Sequence, residues 1–397
     1  MDKRYFLKRI ENLIKKIDNN SIVILHSGLE IIKSEDCFYE FTVNKNFFYL
    51  TNIRQKNVFL IILKISENEY YKYISIDKID ENKIKWFGKM LDENDIVNNT
   101  YFKHDEILNN DILESKLKDF INKFKPKKLY LDFKNKENIK TIVENLNFKD
   151  NEINDIYSKI IELRSIKDDF EIDNIKKAIE ITKKGINKIK EIKDNVDYEY
   201  EIFNAFNHEI LNYGTHEIGF DTIIASGINS CCLHYPNPYS KLEKDSILLC
   251  DLGARYNNYS ADISRTFVIK NNFNNLQSTI YNIVLACNKH IINNAKPGIN
   301  INLLQELTIQ FLTTMCLKEN LIKDKDDLKN YYFHGVSHHL GLDTHDPISR
   351  ENILEPGNII TIEPGLYFEN YKIGVRIEDN ILITENGNIN LSECIEK

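Results

Sequence analysis

The chain has 397 residues, of which 42% are hydrophobic and 28% are charged, and it carries a formal net charge of −8. This length suits two domains with substantial cores, and the composition is that of an ordinary globular protein. The acidic balance disfavours nucleic-acid binding, and no stretch approaches the ~20 apolar residues that span a bilayer, so neither a nucleic acid nor a membrane is expected as a partner.

The N-terminal segment is predicted to form an amphipathic helix, because Leu7, Ile10, Leu13, Ile14 and Ile17 recur on one side. This segment lacks the uninterrupted apolar stretch of a secretory signal. The seven cysteines are scattered, and no C-x-x-C pair occurs. Because this pattern is typical of reduced thiols, we expect a cytoplasmic protein.

Residues 1–155 alternate between helical and strand-like patterns, which predicts an α/β domain. The expected strands are at 21–25, 47–50, 58–63 and 129–133, and a helix is expected over 138–146. The lysine-rich stretch 116–128 also contains Asp119 and apolar residues, which favours a solvated helical face over a nucleic-acid surface.

Residues 160–397 are predicted to form a second domain, with the boundary between 151 and 167. A long amphipathic helix begins near Phe170, and a second helix over 198–213 is expected to end at Gly214. The remaining predicted elements are a strand at 222–225, an aspartate-bearing hairpin, helices over 276–294 and 302–318, and three strand-like runs near the C-terminus.

Two aspartates flank the predicted hairpin. Asp251 ends an apolar run, and Asp262 begins a second β-rich run eleven residues later. The intervening YNNY at 256–259 has the polar turn chemistry of a hairpin. Paired strands can therefore bring both carboxylates to one point.

Two glutamates occur in similar strand contexts further along the chain. Glu363 follows the β-branched run IITI and precedes Pro-Gly, and Glu378 lies in the strand-like IGVRIED. Four carboxylates with one imidazole suit divalent ions such as Mn²⁺, Co²⁺ or Zn²⁺, and they are enough for two ions that share bridging oxygens. Since a two-metal site can generate hydroxide at neutral pH, the set indicates a hydrolase.

Four of the ten histidines lie in HGVSHHLGLDTHD at 334–346. The spacing of His334 and His338 would suit two zinc ligands on one helix face, but no glutamate follows His334. The glycines and Pro347 instead predict an irregular segment. His339 is expected to point away from His338 and to make a structural hydrogen bond.

These motifs resemble those of the Xaa-Pro aminopeptidase and prolidase group of pita-bread metallopeptidases. The resemblance rests on the 334–346 segment, EPG at 363–365, VRIED at 375–379 and the hairpin from Asp251 to Asp262. It covers nearly the whole chain, since LRSIKD at 163–168 resembles the entry into the catalytic domain. Residues 38–51 resemble the N-terminal domain of the aminopeptidase P branch. The resemblance implies an α/β N-terminal domain followed by an α+β pita-bread catalytic domain with a curved antiparallel sheet.

The resemblance also implies a site built around two divalent metal ions, with Mn²⁺ the first choice and Co²⁺ or Zn²⁺ as alternatives. The implied metal ligands are Asp251, Asp262, His338, Glu363 and Glu378. Asp262 and Glu378 would bridge the two ions, and a hydroxide between them would attack the scissile carbonyl.

Other residues receive roles from the same resemblance. Glu363 would shuttle the proton to the leaving nitrogen, and His334 and His345 would contact the substrate and stabilise the oxyanion. His334 could equally support its neighbours. His234, His345 and Arg376 are the implied substrate contacts, although Arg376 could instead orient carboxylates. His339 stands where the family often has a large aromatic side chain.

The implied function is release of the N-terminal residue from peptides with proline at position two, by a homodimer in which an N-terminal domain helps to shape the partner's site. The first alternative is an Xaa-Pro dipeptidase (prolidase), which would use the same ligands. A methionine aminopeptidase would not need the first domain. A non-catalytic pita-bread binding module would typically have lost metal ligands.

Overall fold

The computed structural model describes residues 3–79, 81–214, 217–348 and 352–397. The chain divides between Arg164 and Ser165 into two compact units. Among the described residues, no helix combines the length and the apolar character needed to cross a membrane.

The first unit contains alternating helices and strands. In chain order they are α1 (Arg4–Lys16), β1 (Ser21–His26), β2 (Ile32–Ser34), β3 (Cys37–Phe38), α2 (Lys45–Thr51), β4 (Phe59–Lys64), β5 (Tyr70–Ile76), α3 (Glu81–Phe87), α4 (Glu93–Asn99), β6 (Ile107–Asn109), α5 (Leu113–Phe124), β7 (Lys128–Leu131), α6 (Lys140–Glu144), β8 (Ile153–Asp155) and α7 (Tyr157–Ser165).

A six-stranded mixed sheet in the order β6-β5-β4-β1-β7-β8 forms the centre of this unit. β1 pairs antiparallel with β4 and parallel with β7. Every residue of β1 and β4 is buried, which explains why both strands read as continuous apolar runs. Alternate residues such as Ile22 and Ile61 pack with Leu113 and Leu117 of α5 in one core.

The prediction of a strand at 47–50 was wrong, because this segment lies in helix α2. Asn44 caps the helix by accepting a hydrogen bond from the Phe47 amide at 2.8 Å, and Asn52 ends it in the left-handed region at φ 61°. Six consecutive residues of the helix are buried, so no period in the apolar pattern distinguished helix from strand.

The second unit places four long helices among short strands. Its elements are α8 (Asp169–Ile192), α9 (Glu199–Leu211), β9 (Ile223–Ser226), β10 (Ile247–Leu252), β11 (Arg255–Tyr256), β12 (Tyr259–Ser260), β13 (Ile263–Val268), α10 (Asn275–Asn294), α11 (Ile301–Lys318), β14 (Ile359–Ile362), β15 (Gly365–Phe368), β16 (Ile373–Arg376), β17 (Asp379–Thr384) and β18 (Gly387–Asn390).

The strand pairs described in this unit are antiparallel: β10 lies between β9 and β13, β17 lies between β14 and β18, and β15 pairs with β16. Their apolar side chains pack against α10 and α11, with Val284 and Leu312 among the fully buried residues. Strands from all three of these groups therefore share one core with α10 and α11.

The predicted aspartate hairpin is confirmed. β10 and β13 are paired in a register that places Asp251 opposite Ser264, and the chain turns back between β11 and β12. Asn257 and Asn258 occupy this turn with φ of 48° and 69°. Two successive positive φ angles are the geometry of a tight two-residue hairpin turn, which asparagine tolerates well.

Candidate metal centre

The hairpin brings the two aspartates together. Asp251 lies in β10 and Asp262 directly precedes β13. One carboxylate oxygen from each of Asp251, Asp262 and Glu378 falls within a group whose members are all within 4.8 Å of one another. Glu378 reaches this point from the short connection between β16 and β17.

A second group overlaps with the first. It consists of His338, Glu363 and Glu378, again with ligand atoms within 4.8 Å of one another. The Nε2 atom of His338 lies 3.3 Å from Asp262 Oδ2 and 3.4 Å from Glu363 Oε1. Glu378 thus belongs to both groups, and Asp262 is close to the ligand atoms of both, which is the arrangement expected for two adjacent cations.

The residues fit the metal ions that the sequence implies. Asp251 Oδ1 is buried and has no hydrogen-bond partner within the described part of the chain, so it is free to bind a cation. Burial is the largest cause that raises the pKa of Asp262, Glu363 and Glu378, and repulsion among the carboxylates raises it further. A cluster that resists ionisation in this way is stabilised by added positive charge.

The tautomer of His338 suits metal binding. Its Nδ1 lies 2.9 Å from the backbone oxygen of His339, and because a carbonyl oxygen only accepts, Nδ1 carries the proton. The Nε2 lone pair therefore faces Asp262 and Glu363. A histidine fixed in this way by its other ring nitrogen is the usual arrangement of a metal ligand.

Arg376 is buried and connects three side chains of the site. Its guanidinium donates to Asp251 Oδ2 at 2.6 Å, to Ser264 Oγ at 2.8 Å and to the Tyr367 hydroxyl at 3.1 Å. Ser264 in turn donates to Glu378 at 2.8 Å. Arg376 therefore fixes the orientation of Asp251 directly.

Both ring nitrogens of His334 are engaged. Nδ1 donates to the Gly335 carbonyl at 2.8 Å, and Nε2 accepts from the Tyr367 hydroxyl at 2.9 Å. Burial and the positive charge of Arg376 lower the pKa of His334 to about 4. His334 is therefore neutral near pH 7 and continues the hydrogen-bonded chain from Asp251 through Arg376 and Tyr367.

The remaining two histidines border the metal groups. The ring centroid of His345 lies 4.3 Å from that of His338, and His345 forms a third group of possible ligands with Asp262 and His338. His234 is exposed, and burial is the largest cause that lowers the pKa of His345, with smaller effects of His338 and His234. The histidine and acidic side chains are thus concentrated around one point.

The irregular structure predicted for the histidine-rich segment is confirmed: residues 334–346 contain no helix or strand, although residues 336–340 make backbone hydrogen bonds to residues 359–363. A buried ion pair holds its far end, since Lys167 Nζ lies 3.0 Å from Asp346 Oδ2. His339 is buried, and within the described residues neither of its ring nitrogens has a hydrogen-bond partner. The expected structural hydrogen bond of the His339 side chain is therefore not found.

Several side chains of the site were missed from the sequence. Thr361 donates to Glu363 at 3.2 Å and Ser264 donates to Glu378, and each lies two residues from a proposed ligand on the same face of a strand. That spacing could have identified both. Tyr367 had no such signal, because it contacts His334 across 33 residues of sequence.

Two further buried side chains hold the backbone beside the glutamates. Asn288 of α10 donates to the carbonyls of Ile362 and Ile377, which directly precede Glu363 and Glu378. Arg265 donates to the Glu378 carbonyl at 2.6 Å and to the Ile395 carbonyl at 2.9 Å. Lys397 Nζ donates to Asn288 Oδ1 at 2.7 Å, so residues 395–397 close this network.

Comparison with known proteins adds independent findings. A model of metallopeptidase family M24 matches residues 173–385, and a model of the aminopeptidase P N-terminal domain matches residues 6–130. The Xaa-Pro aminopeptidase of Haemophilus influenzae is 30% identical over 420 residues, covering 100% of this chain and 96% of the relative. The Xaa-Pro dipeptidase of Pyrococcus furiosus is 37% identical over 254 residues, covering 62% of this chain and 69% of the relative.

A solved structure agrees over the full length. Aminopeptidase P from Escherichia coli with the inhibitor Pro-Leu superposes with a TM-score of 0.93 at 27% identity, covering 100% of this chain and 96% of that chain. The family resemblance and the two-domain fold predicted from the sequence are confirmed by these comparisons.

Proposed function

The chain belongs to metallopeptidase family M24, and from that premise we propose that it is a dinuclear aminopeptidase that releases the N-terminal residue from peptides with proline at position two. The observation that carries this proposal is the overlap of the two ligand groups at Glu378, with Asp262 beside both. The match of an aminopeptidase P N-terminal domain over residues 6–130 supports the substrate class.

In this proposal Asp251, Asp262, His338, Glu363 and Glu378 hold the two cations, with Asp262 and Glu378 shared between them. Bound there, two divalent cations would lower the pKa of a water molecule and supply the hydroxide that attacks the scissile carbonyl. Mn²⁺ is our first choice, with Co²⁺ or Zn²⁺ as alternatives, because oxygen ligands with a single imidazole suit all three ions.

The protein's own groups move the proton and stabilise the charge. Glu363 receives a hydrogen bond from Thr361 and lies beside His338 at the centre of the site, where it can take up a proton and pass it to the leaving nitrogen. His345 is exposed beside His338, where it can donate to the developing oxyanion. His234, in the segment between β9 and β10, is the proposed substrate contact.

We assign Arg376 and His334 to orientation of the site. Arg376 is buried and donates to Asp251, which supports its role in orienting a ligand over direct substrate binding. His334 accepts a hydrogen bond from the Tyr367 hydroxyl and so completes the same chain of hydrogen bonds.

An Xaa-Pro dipeptidase is the second candidate, and the similarity to the Pyrococcus furiosus enzyme over 62% of this chain favours it. The two activities differ in what the site does beyond proline. An aminopeptidase leaves an open exit for the rest of the peptide, whereas a dipeptidase closes that exit and pairs the proline carboxylate with a cation.

A cleavage assay separates the two candidates. Metal-loaded protein is given Xaa-Pro dipeptides, Xaa-Pro-Xaa tripeptides and longer peptides, with matched peptides carrying alanine at position two as controls. We expect higher kcat/KM for the longer Xaa-Pro peptides and poor cleavage of the alanine controls, because the fixed proline ring is what the pocket accepts. Cleavage confined to dipeptides would identify a prolidase instead.

We further propose a homodimer in a reducing, cytoplasmic environment. The seven cysteines are all free thiols, which supports the compartment. Sedimentation of the metal-loaded protein tests the oligomeric state, and a monomer at micromolar concentration would contradict the dimer.

A further inference from the structure

The loop between β9 and β10 carries His234 and has little regular structure. The His234 loop, residues 227–240, begins with a single 3-10 turn at Gly227–Cys231 and then follows an irregular path. His234 itself is exposed. An irregular loop that presents a substrate contact requires anchors elsewhere, because loops are otherwise mobile.

One buried carboxylate holds both ends of this loop. Glu199 lies in the first turn of α9 and is completely buried. Its Oε1 accepts from the amide and the hydroxyl of Ser226, both at 2.7 Å, and from Asn229 Nδ2 at 3.0 Å. Its Oε2 accepts from the Ser240 amide at 3.1 Å. The Glu199 backbone amide also donates to the Ser240 carbonyl at 3.0 Å.

Asn229 extends this network toward His234. Its Nδ2 lies 2.9 Å from Ser240 Oγ and 3.0 Å from the hydroxyl of Tyr235, the residue next to His234. The carboxylate thus connects the start, the middle and the end of the loop. Hydrogen bonds to a buried charged acceptor are the strong ones, and leaving such a group unsatisfied costs its full desolvation penalty.

A second anchor fixes the 3-10 turn to the sheet. Ser230 Oγ accepts a hydrogen bond from the Gly374 amide at 2.8 Å. A Cβ atom at Gly374 would lie 1.9 Å from the Ser230 carbonyl oxygen, so the turn packs directly on β16, two residues before Arg376. The loop that contains His234 is therefore anchored at Ser230 to β16 and at Ser240 to α9.

We propose that Glu199 is a positioning residue, which clamps the His234 loop so that His234 faces the substrate. This inference rests on the proposed function, because it takes His234 as a substrate contact. The Glu199 carboxylate accepts hydrogen bonds from the loop and its borders, at Ser226, Asn229 and Ser240, and none of these donors is a proposed metal ligand. Its effect is therefore expected on substrate binding and not on metal content.

The chain offers a matched control in the same helical turn. Glu201 accepts from the backbone amides of Asp197 and Tyr198, both at 2.9 Å, and caps α9 without contacting the loop. Glu199→Gln and Glu201→Gln each remove one charge from the same helix N-terminus. Only Glu199→Gln replaces the carboxylate that accepts the hydrogen bonds from the loop.

Hydrogen exchange measured by mass spectrometry tests the clamp without any activity. We expect the amides of residues 227–240 to exchange faster in Glu199→Gln than in wild type, and at the wild-type rate in Glu201→Gln. Asn229→Ala, which keeps the carboxylate, is expected to give a smaller increase and carries the test if Glu199→Gln does not fold. Unchanged exchange in the loop of the folded variants would overturn the clamp.

A double-mutant cycle tests whether the clamp acts through His234. We expect Glu199→Gln to lower kcat/KM on an Xaa-Pro tripeptide mainly by raising KM, by up to about 10²-fold, with unchanged metal content. In a His234→Ala background the same substitution should cause no further loss, because its target is gone. Additive losses would show that Glu199 acts elsewhere and would overturn the inference.

The proposed peptidase function and the proposed role of Glu199 are contradicted by different results. If wild-type protein cleaves no Xaa-Pro peptide, the proposed function fails while hydrogen exchange still decides the clamp. If the enzyme is active and His234→Ala retains wild-type kcat/KM, the positioning of His234 for substrate is overturned even where the loop is shown to be clamped.

Discussion

At the scale of single residues, three of the proposed ligands have one oxygen held by the protein and thus a defined direction for the other. Asp251 is held by Arg376, Glu363 by Thr361 and Glu378 by Ser264. Because these donors fix each carboxylate before any ion arrives, metal binding needs little rearrangement. Asp262, which lies close to both ligand groups, is then the residue whose substitution is most informative.

Asp262→Asn is expected to abolish peptide cleavage and to reduce bound metal from two ions to one or fewer. A bridging position needs an anionic oxygen for each cation, and an amide supplies only one neutral oxygen. Metal content by elemental analysis and kcat on an Xaa-Pro tripeptide are measured together. A variant that keeps two ions and near-normal turnover would remove Asp262 from the bridging role.

His345→Ala is expected to keep both ions while kcat falls by about 10²–10³-fold, the usual loss when one oxyanion donor is removed. The alternative is that His345 itself binds a metal ion, since it also lies in a group of possible ligands with Asp262 and His338. Elemental analysis of the purified variant decides between them. Loss of one ion in proportion to lost activity would make His345 a ligand.

The sequence identified the charged residues of the site better than their neutral partners. Asp251, Asp262, Glu363 and Glu378 were recognisable because a carboxylate at a strand end next to a turn is conspicuous. One sequence feature could have indicated Asn288: it is a polar residue on the apolar face of a helix, between Val284 and Ile291. The role of Tyr367 depends on which strands meet, which no local pattern reveals.

At the scale of elements, the segment from His334 to Asp346 presents three proposed functional histidines, His334, His338 and His345, without regular secondary structure. The ion pair between Lys167 and Asp346 anchors its end, and both side chains are almost completely inaccessible. Gly341 packs against the Asp346 carboxylate so closely that a Cβ would lie 2.6 Å from Oδ2. Backbone hydrogen bonds to β14 hold the middle of the segment, including one from Leu340 to Ile359 at 3.0 Å and one from Thr361 to His338 at 2.8 Å.

Lys167→Met is expected to lower the free energy of unfolding by roughly 3–5 kcal/mol, because it removes one partner of a buried ion pair. Lys188→Met is the matched control: Lys188 pairs with Glu191 on the exposed face of α8, and its loss should cost no more than about 1 kcal/mol. Urea unfolding at pH 7 measures both.

The double variant Lys167→Met/Asp346→Asn should recover part of the loss, since it also removes the buried negative charge that Lys167 faces in wild type. A single variant no less stable than Lys188→Met would show that the ion pair does not anchor the segment.

Elements with a clear period or a specific turn were predictable, and fully buried short ones were not. The hairpin turn at Asn257 and Asn258 followed from its residue types, and α8 from its apolar stripe. α2 was mistaken for a strand, because every side chain from Asn46 to Thr51 is buried and the segment shows no exposed face. Its cap at Asn44 was the available signal.

At the scale of the whole molecule, the carboxylate cluster lowers the free energy of unfolding of the metal-free protein. The pKa of Asp262 and Glu378 is well above its usual value, chiefly through burial. A folded state with raised carboxyl pKa values binds more protons than the unfolded state, so these groups reduce stability as pH rises above their unfolded pKa of about 4.

Metal-free Asp262→Asn should therefore be more stable than metal-free wild type at pH 7, and its advantage should shrink as pH falls toward 4.5. With saturating Mn²⁺ the order should reverse, because ions that bind only the native state stabilise wild type by about 2.7 kcal/mol at 100 times the dissociation constant. Urea unfolding between pH 4.5 and 7.5 provides the check. A stability difference that does not vary with pH would contradict the assigned shifts.

The network through Arg265 and Asn288 has a consequence for truncation. It ties the backbone beside Glu363 and Glu378 to residues 395–397. A chain cut before Ile395 would keep all five proposed ligands but would lose the hydrogen bonds through which residues 395–397 hold this backbone. We expect such a chain to bind less metal than the 397-residue chain, as measured by elemental analysis. Possession of every ligand would then not be enough to make a complete metal site.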